Sequence, residues 1–285
     1  MNEHLVSRVL LRRFSNHPRG PITALDLVTR ESRTGRVEAF GGVEGLLRRP
    51  IPLEQRWNSE VEMRLPHAFK VLGEGTLLDD SSAVETIKKC LVLHTARSQM
   101  VLWVTQRTQG VFAAQVTDKT LEAFDAVSVA RALTGLTLSP EAAAALVPDR
   151  VADLFDEYLR EDDFLATLFD RLYETGQERV SPLVLEVLEA DEDEFLLSDS
   201  PVSFWDRDLD RVGFAQGVGW GSANSVFMPL GPKHVVGLST TSGWRNIDRR
   251  MVETINSIQV RGSFREIYVR PESGLDLIIA HHLAA

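Results

Sequence analysis

The sequence contains little cysteine and no long apolar run. Its 285 residues include one cysteine, Cys90, so no disulfide can form within the chain. A lone cysteine is typical of a reducing compartment, and we expect a cytoplasmic protein. The longest apolar runs, such as MVLWV at 100–104, are far shorter than the ~20 residues of a membrane-spanning helix. Glu3 and Arg8 interrupt the N-terminal apolar residues, which therefore lack the core of a signal peptide.

The sequence also lacks the short motifs of several enzyme classes. It contains no P-loop, no nucleophile elbow and no HExxH zinc motif. The glycine-rich GVGWGS at 217–222 has Ser222 where a dinucleotide fingerprint needs its third glycine, and strand-like residues follow it. Any chemistry must therefore come from residues that folding brings together.

The chain has more acidic than basic residues, but they are unevenly distributed along it. The net charge is -10, whereas residues 1–56 carry 10 Arg against 6 acidic residues. Residues 57–200 carry 12 basic and 27 acidic residues, and residues 201–285 carry 9 and 8. An acidic total argues against general coating of nucleic acid. The Arg-rich N-terminal segment is either a local face for a phosphate or an ordinary solvated surface.

Hydrophobic patterning predicts an α+β protein made of a single interlocked domain, 1–285. The first part, 1–56, is predicted to be an N-terminal β element, in which ITALDLVT (22–29) and GRVEAF (35–40) form a hairpin. A central helical block, 57–176, follows, and the C-terminal part, 177–285, is predicted to be an antiparallel sheet with a late helix. We expect this sheet to pack with the first hairpin.

The helical block is predicted to contain four or five helices. The first runs from Ser82, a plausible N-cap, to a stop at Gly110. A second covers 118–134, and a third begins with Ser139 as its cap and Pro140 at its first position.

The C-terminal part is predicted to contain two further hairpins. The first joins SPLVLEVLEA (181–190) to EFLLSD (194–199), and the second joins 225–230 to 233–239. Residues 246–260 are predicted to form a helix, and LDLIIAHHL at 275–283 a closing strand.

Three residues are candidates for a functional site. Asp199 ends an apolar run just before Ser200 and Pro201, so it either holds its own turn or projects into a site as a metal ligand or general base. Arg97 shares a helix face with His94, a pair that could bind an anion or anchor two helices. His4 begins the N-terminal amphipathic segment.

Several stretches resemble a bacterial family of unknown function, DUF4238. HLVSRVLLRRF at 4–14 is similar to that family's opening His-Tyr-Val-Pro-Gln-Phe-Tyr-Leu-Arg-Arg-Phe pattern, and FLLSDSPV at 195–202 resembles its Ser-Asp-Asn-Pro-Val motif. Further similarities are LHTARS at 93–98, MPLGP at 228–232 and ETINSIQVRGSFREIYV at 253–269.

The resemblance gives weight to four positions, namely His4, Arg97, Asp199 and Pro201. This chain differs from the family pattern in having Leu5 in place of an aromatic residue, Ser7 in place of proline and Ser200 in place of asparagine. The family has no established activity, so the resemblance implies positions and no reaction.

Two functions are compatible with these observations. One is a metal-assisted phosphodiesterase or nuclease of a bacterial defence or toxin system, with nucleic acid as the partner. In this function Asp199 is the general base or a ligand of Mg²⁺ or Mn²⁺, and His4 and Arg97 contact the phosphate. The other is a non-enzymatic binding or regulatory protein, which engages a protein partner through its helical block. In that case the same three residues form a buried polar cluster that fixes the N-terminal segment.

Overall fold

The computed structural model describes residues 2–17, 19–44, 52–160 and 162–283. The α-helices are α1 (Arg8–Leu11), α2 (Pro52–Trp57), α3 (Leu65–Gly73), α4 (Ser81–Ala96), α5 (Gln99–Ala123), α6 (Ala126–Thr134), α7 (Pro140–Arg160), α8 (Asp162–Val180), α9 (Arg249–Gly262) and α10 (Leu275–His282). The strands are β1 (Asn2–His4), β2 (Pro21–Asp26), β3 (Ser32–Arg36), β4 (Gly42–Glu44), β5 (Val184–Ala190), β6 (Leu197–Ser198), β7 (Ser203–Asp206), β8 (Arg211–Val212), β9 (Ser225–Gly231), β10 (His234–Ser239), β11 (Gly243–Ile247) and β12 (Glu266–Val269). The protein is therefore of the α+β class.

The chain divides into two compact units. The first consists of Met1–Val101 and Phe169–Ala285, and it contains all three sheets. The second is the helical unit Leu102–Leu168, whose own core centres on Ala130, Ala143 and Val147. The prediction that the chain forms one interlocked domain stays a prediction.

A four-stranded antiparallel sheet joins the two ends of the first unit. Its strand order is β3-β2-β12-β6. The predicted N-terminal hairpin is confirmed as β2 and β3, but its second strand is Ser32–Arg36 and not 35–40, because Val37–Ala39 forms a 3-10 helix. Strand β2 also pairs with β12 from the C-terminal part. One face of this sheet packs against α10, with Leu25 and Ile267 meeting Ile279 in a common core cluster.

A six-stranded sheet forms the rest of the C-terminal part. Its strand order is β11-β5-β10-β9-β7-β8, and all pairs are antiparallel except β11 with β5. The predicted hairpin of residues 225–230 and 233–239 is confirmed as β9 and β10. Helix α9, predicted at 246–260, packs Val252, Ile255 and Ile258 against one face of this sheet.

The other predicted C-terminal hairpin is wrong. Strand β5 pairs with β10 and β11, whereas Leu197–Ser198 pairs with β12 in the other sheet. After Ala190 the chain passes the turn between β9 and β10, where Phe195 donates its N–H to Pro232 O at 2.7 Å, before it reaches β6 in the four-stranded sheet. Residues 191–198 therefore connect the two sheets.

The predicted helix from Ser82 to Gly110 is also wrong at both ends. Asp80 is the N-cap of α4, since its carboxylate accepts from Ala83 N at 2.9 Å. The helix ends at Ala96, and Ser98 begins α5 by accepting from Val101 N at 3.2 Å. Gly110 lies inside α5.

Two more boundaries differ from the predictions, and one agrees with them. The predicted helix at 118–134 is divided between α5 and α6, because Asp125 caps α6 through Ser128 N at 2.9 Å. The predicted closing strand is helix α10, which follows a left-handed turn at Gly274. Ser139 does cap α7 as predicted, accepting from Ala142 N at 3.3 Å.

Candidate functional site

The carboxylate of Asp199 lies directly after β6 and accepts four hydrogen bonds from one turn. Its Oδ1 accepts from Ser263 Oγ and Phe264 N, both at 2.8 Å. Its Oδ2 accepts from Arg265 N at 2.7 Å and Glu266 N at 2.9 Å. We call Asp199 together with residues 263–266 the Asp199 turn. This carboxylate holds the connection between α9 and β12.

The surroundings of Asp199 limit what its carboxylate can do. The residue is 9% exposed, and burial raises the pKa of Asp199 while its four donors act in the opposite direction. An ionised carboxylate has about four acceptor positions, and here each oxygen already receives two donors. Asp199 could act as a base or metal ligand only by giving up some of these bonds.

The residues after Asp199 are bonded both to α9 and within their own turn. Gln259 donates through Nε2 to Pro201 O at 2.8 Å and to Ser203 Oγ at 3.0 Å, and its Oε1 accepts from Ser198 N at 3.1 Å. Ser198 Oγ donates to Ser200 O at 2.6 Å. The segment that carries the family-like motif is thus fixed in place by one buried glutamine.

Arg97 lies at the C-terminal end of α4 and is 4% exposed. Its Nη2 donates to Glu62 Oε1 at 2.8 Å, and its guanidinium lies 5.9 Å from the centre of the Trp57 ring. Burial alone would raise the pKa of Glu62, but Arg97 lowers it overall. Within the described part of the chain, Arg97 Nε and Trp57 Nε1 are buried donors with no hydrogen-bond partner.

His94, one turn before Arg97, connects α4 to the N-terminal segment. Its Nδ1 donates to Cys90 O at 2.9 Å, and its Nε2 accepts from Ser7 N at 3.1 Å. Burial, followed by the charge of Arg97, lowers the pKa of His94 to about 4, so the imidazole is neutral. Proline, which the family pattern has in place of Ser7, has no N–H to make this bond. We call Ser7, Glu62, His94 and Arg97 the Arg97 cluster.

His4 occupies a different environment from the other two candidates. It ends β1, where it pairs with Gly42 of β4, and its Nε2 accepts from Arg8 Nε at 2.9 Å. The side chain is half-buried. This contact orients Arg8 at the start of α1.

An open cavity of about 570 Å³ lies beside the Asp199 turn. Its lining includes Leu5, Arg33, Gln99, Asp199, Arg265 and Glu266. Leu5 follows His4, and Gln99 lies two residues after Arg97, so the structure brings the segments of all three candidates to this cavity. Of the three candidate side chains, only that of Asp199 is among the described residues that line it. We call it the Asp199 cavity.

Two arginines that line the Asp199 cavity are each paired with a carboxylate that also lines it. Arg33 Nη2 lies 2.6 Å from Glu266 Oε1, and Arg265 Nε lies 2.7 Å from Asp26 Oδ2. Over residues 2–17, 19–44, 52–160 and 162–283, no three His, Cys, Asp or Glu side chains are grouped so that they could hold a metal ion. Asp199 as a ligand of Mg²⁺ or Mn²⁺ stays a prediction.

Sequence reasoning missed the partners of Asp199 and Arg97. Glu62, Gln259 and the 263–266 turn are far in sequence from the residues that they bind. Gln259 and the turn lie in the family-like stretch 253–269, but that resemblance does not say what they contact. One pattern did carry information: Asn256 and Gln259 are polar residues on the apolar face of α9. Both accept backbone N–H groups of the segment around β6, since Asn256 Oδ1 accepts from Leu196 N at 3.1 Å.

Comparison with known proteins gives a family but no activity. No helix in the described part of the chain is long and apolar enough to cross a membrane. No curated protein and no solved structure matches the sequence. The model of one family, described as "Protein of unknown function (DUF4238)", matches residues 2–273, which is nearly the whole chain. Together with the motifs around His4, Arg97 and Asp199, this match means that the chain belongs to the DUF4238 family.

Proposed function

We propose that this protein is a non-enzymatic binding or regulatory protein. The observation that carries the proposal is the saturation of the Asp199 carboxylate by four protein donors. A general base or metal ligand needs an oxygen that can face the substrate or the ion. Arg97, another candidate residue, forms a buried ion pair with Glu62. These contacts are those of structural anchors.

We propose that the part of the helical block that engages the partner is the helical unit Leu102–Leu168, and that the partner is a protein with a basic surface. Residues 102–168 carry 5 basic and 11 acidic residues, a net charge of -6. The same unit exposes Phe124 (64%), Leu136 (60%) and Leu154. Large apolar side chains within an acidic surface favour a partner that is basic and partly apolar.

The metal-assisted phosphodiesterase or nuclease is a second candidate, and one observation favours it. Asp199 borders an open cavity, and the segments of His4 and Arg97 reach the same place. In this proposal a substrate would displace part of the Asp199 turn, and Mg²⁺ or Mn²⁺ would bind at the released carboxylate. His4 and Arg97 would contact the phosphate.

The isosteric change Asp199→Asn separates the two proposals. An asparagine presents an NH₂ group to two of the four donors, so a structural Asp199 predicts a loss of about 3 kcal/mol in the free energy of unfolding. A matched control is Asp206→Asn, because Asp206 also accepts two backbone N–H groups of its turn but is more exposed. We expect that control to cost less than about 1 kcal/mol.

The measurements are urea unfolding of the wild type and both variants, and cleavage of labelled single- and double-stranded RNA and DNA in Mg²⁺ or Mn²⁺ by the wild type and Asp199→Asn. The binding proposal expects a destabilised Asp199→Asn and no cleavage. Cleavage by the wild type that disappears in a fully stable Asp199→Asn variant would instead establish the nuclease.

A further inference from the structure

A second concave surface lies on the six-stranded sheet, on the face that α9 covers only in part. It encloses about 1010 Å³ and lies beside the first turns of α9. Residues of β5, β7, β9, β10 and β11 contribute to its walls, together with Arg250 and Met251 of the helix. We call it the α9 groove. It is separate from the Asp199 cavity, and it does not include the glycines of the 217–222 loop.

The floor of the α9 groove is open because of Gly237. This residue is the fourth of six in β10, where it is paired with Glu186 on one side and Phe227 on the other. A Cβ at this position would meet only Val226 O, at an ordinary 3.7 Å, so packing does not require glycine there. Glycine inside a strand lowers stability and is often found where a ligand approaches the backbone.

One wall of the groove has an aromatic ring beside a cation. Trp205 of β7 is half-buried, and the guanidinium of Arg207 lies 5.9 Å from the centre of its ring. Ser225, paired with Trp205 across the strands, is small and leaves space next to the ring. A flat aromatic group could stack in that space, as bases do on aromatic side chains.

Two arginines of the groove have no counter-ion in the described part of the chain. Arg245 is paired with Glu186 at 2.6 Å, and Asp248 accepts from Met251 N at 3.0 Å. Arg207 and Arg250 make no ion pair with any described residue, although the chain as a whole carries a charge of -10. Guanidinium groups with free donors are suited to phosphate, which they bind through two parallel hydrogen bonds.

From these three observations we propose that the α9 groove binds a free nucleoside phosphate. The base stacks on Trp205 over the open floor at Gly237, and the phosphate is held by Arg207 and Arg250. The proposal goes beyond the binding function proposed above, because it adds a small ligand at a site distant from the helical unit in sequence.

The test is isothermal titration of the whole protein with AMP, GMP, CMP and UMP, with inorganic phosphate and a uridine hexanucleotide as comparison probes. We expect saturable binding of at least one mononucleotide, and Trp205→Leu and Arg250→Gln each to weaken it about tenfold. Arg249→Gln is the matched control: it removes the same charge from the same helix turn, but Arg249 is paired with Glu253 at 2.9 Å and does not line the groove. Binding should change less than about twofold in that variant.

Gly237→Val provides a second variant that keeps the fold, because valine favours strands and its Cβ has room. It should remove mononucleotide binding without lowering the melting temperature. Absence of saturable binding by all four mononucleotides would overturn the proposal, as would equal weakening by Arg249→Gln and Arg250→Gln. Tighter binding of the hexanucleotide, with the same loss in Trp205→Leu, would overturn the free nucleotide and mean that the ligand is a nucleic acid strand.

Discussion

The Asp199 turn and the Arg97 cluster are both buried and charged, yet they balance their charge differently. The Asp199 carboxylate receives four donors, three of which are backbone N–H groups. Arg97 depends on a single carboxylate, that of Glu62, and its Nε is left without a partner in the described part of the chain. Backbone N–H groups provide most of the donors that balance the charge of Asp199, whereas one side chain balances the charge of Arg97. A single substitution should therefore disturb the Arg97 cluster more.

The largest effect is expected from breaking the Arg97–Glu62 pair from one side. Arg97→Met leaves the Glu62 carboxylate without its counter-charge, and we expect a loss of about 3–5 kcal/mol in the free energy of unfolding. The double variant Glu62→Leu, Arg97→Met removes both charges and should recover most of that loss. Urea unfolding of the wild type and the two variants measures both changes in the free energy of unfolding. Equal destabilisation in both would mean that packing against Trp57, and not charge, dominates at Arg97.

The sequence predicted the parts of the fold that depend on local pattern. The β2–β3 and β9–β10 hairpins and helix α9 were predicted because alternation and helical periodicity are visible within a few residues. The break between α4 and α5 was missed, since it depends on Ser98 capping a second helix inside a continuous helical pattern. Asp199 and Arg97 could be selected as candidates, but their partners could not, because Glu62 and Ser263 become neighbours only when the chain folds.

The second effect is a pH dependence that comes from His94 of the Arg97 cluster. His94 has a pKa of about 4 in the folded protein and an ordinary value near 6.5 when unfolded, so the unfolded chain binds more protons between these values. Stability should be complete above about pH 6.5 and fall by roughly 3 kcal/mol as the pH is lowered to about 4. His94→Gln should flatten this profile, whereas His17→Gln, at an exposed histidine, should leave it unchanged. Parallel profiles for the wild type and His94→Gln would show that other groups control the acid transition.

The smallest effect is expected within the segment of Asp199 itself. Ser200 Oγ is buried and has no partner in the described part of the chain, so Ser200→Ala should be neutral or stabilise the protein by about 1 kcal/mol. Ser198→Ala, two residues away, removes a hydroxyl that donates to Ser200 O at 2.6 Å and should cost about 1 kcal/mol. Thermal unfolding of this matched pair is the measurement. A clear loss of stability in Ser200→Ala would point to a water molecule bound by that hydroxyl.

The pairing of β2 with β12 also has a consequence for the order in which the chain can fold. Arg33 and Glu266, which form an ion pair across this sheet, are separated by 233 residues. At a synthesis rate of about 5–20 residues per second, the β2–β3 hairpin waits roughly 10–50 s on the ribosome before its neighbour exists. During that interval the apolar side chains of β2, including Ile22 and Leu25, have no sheet to join. Completion of the four-stranded sheet is therefore a late, non-local event, and until it occurs the nascent N-terminal hairpin is exposed to aggregation.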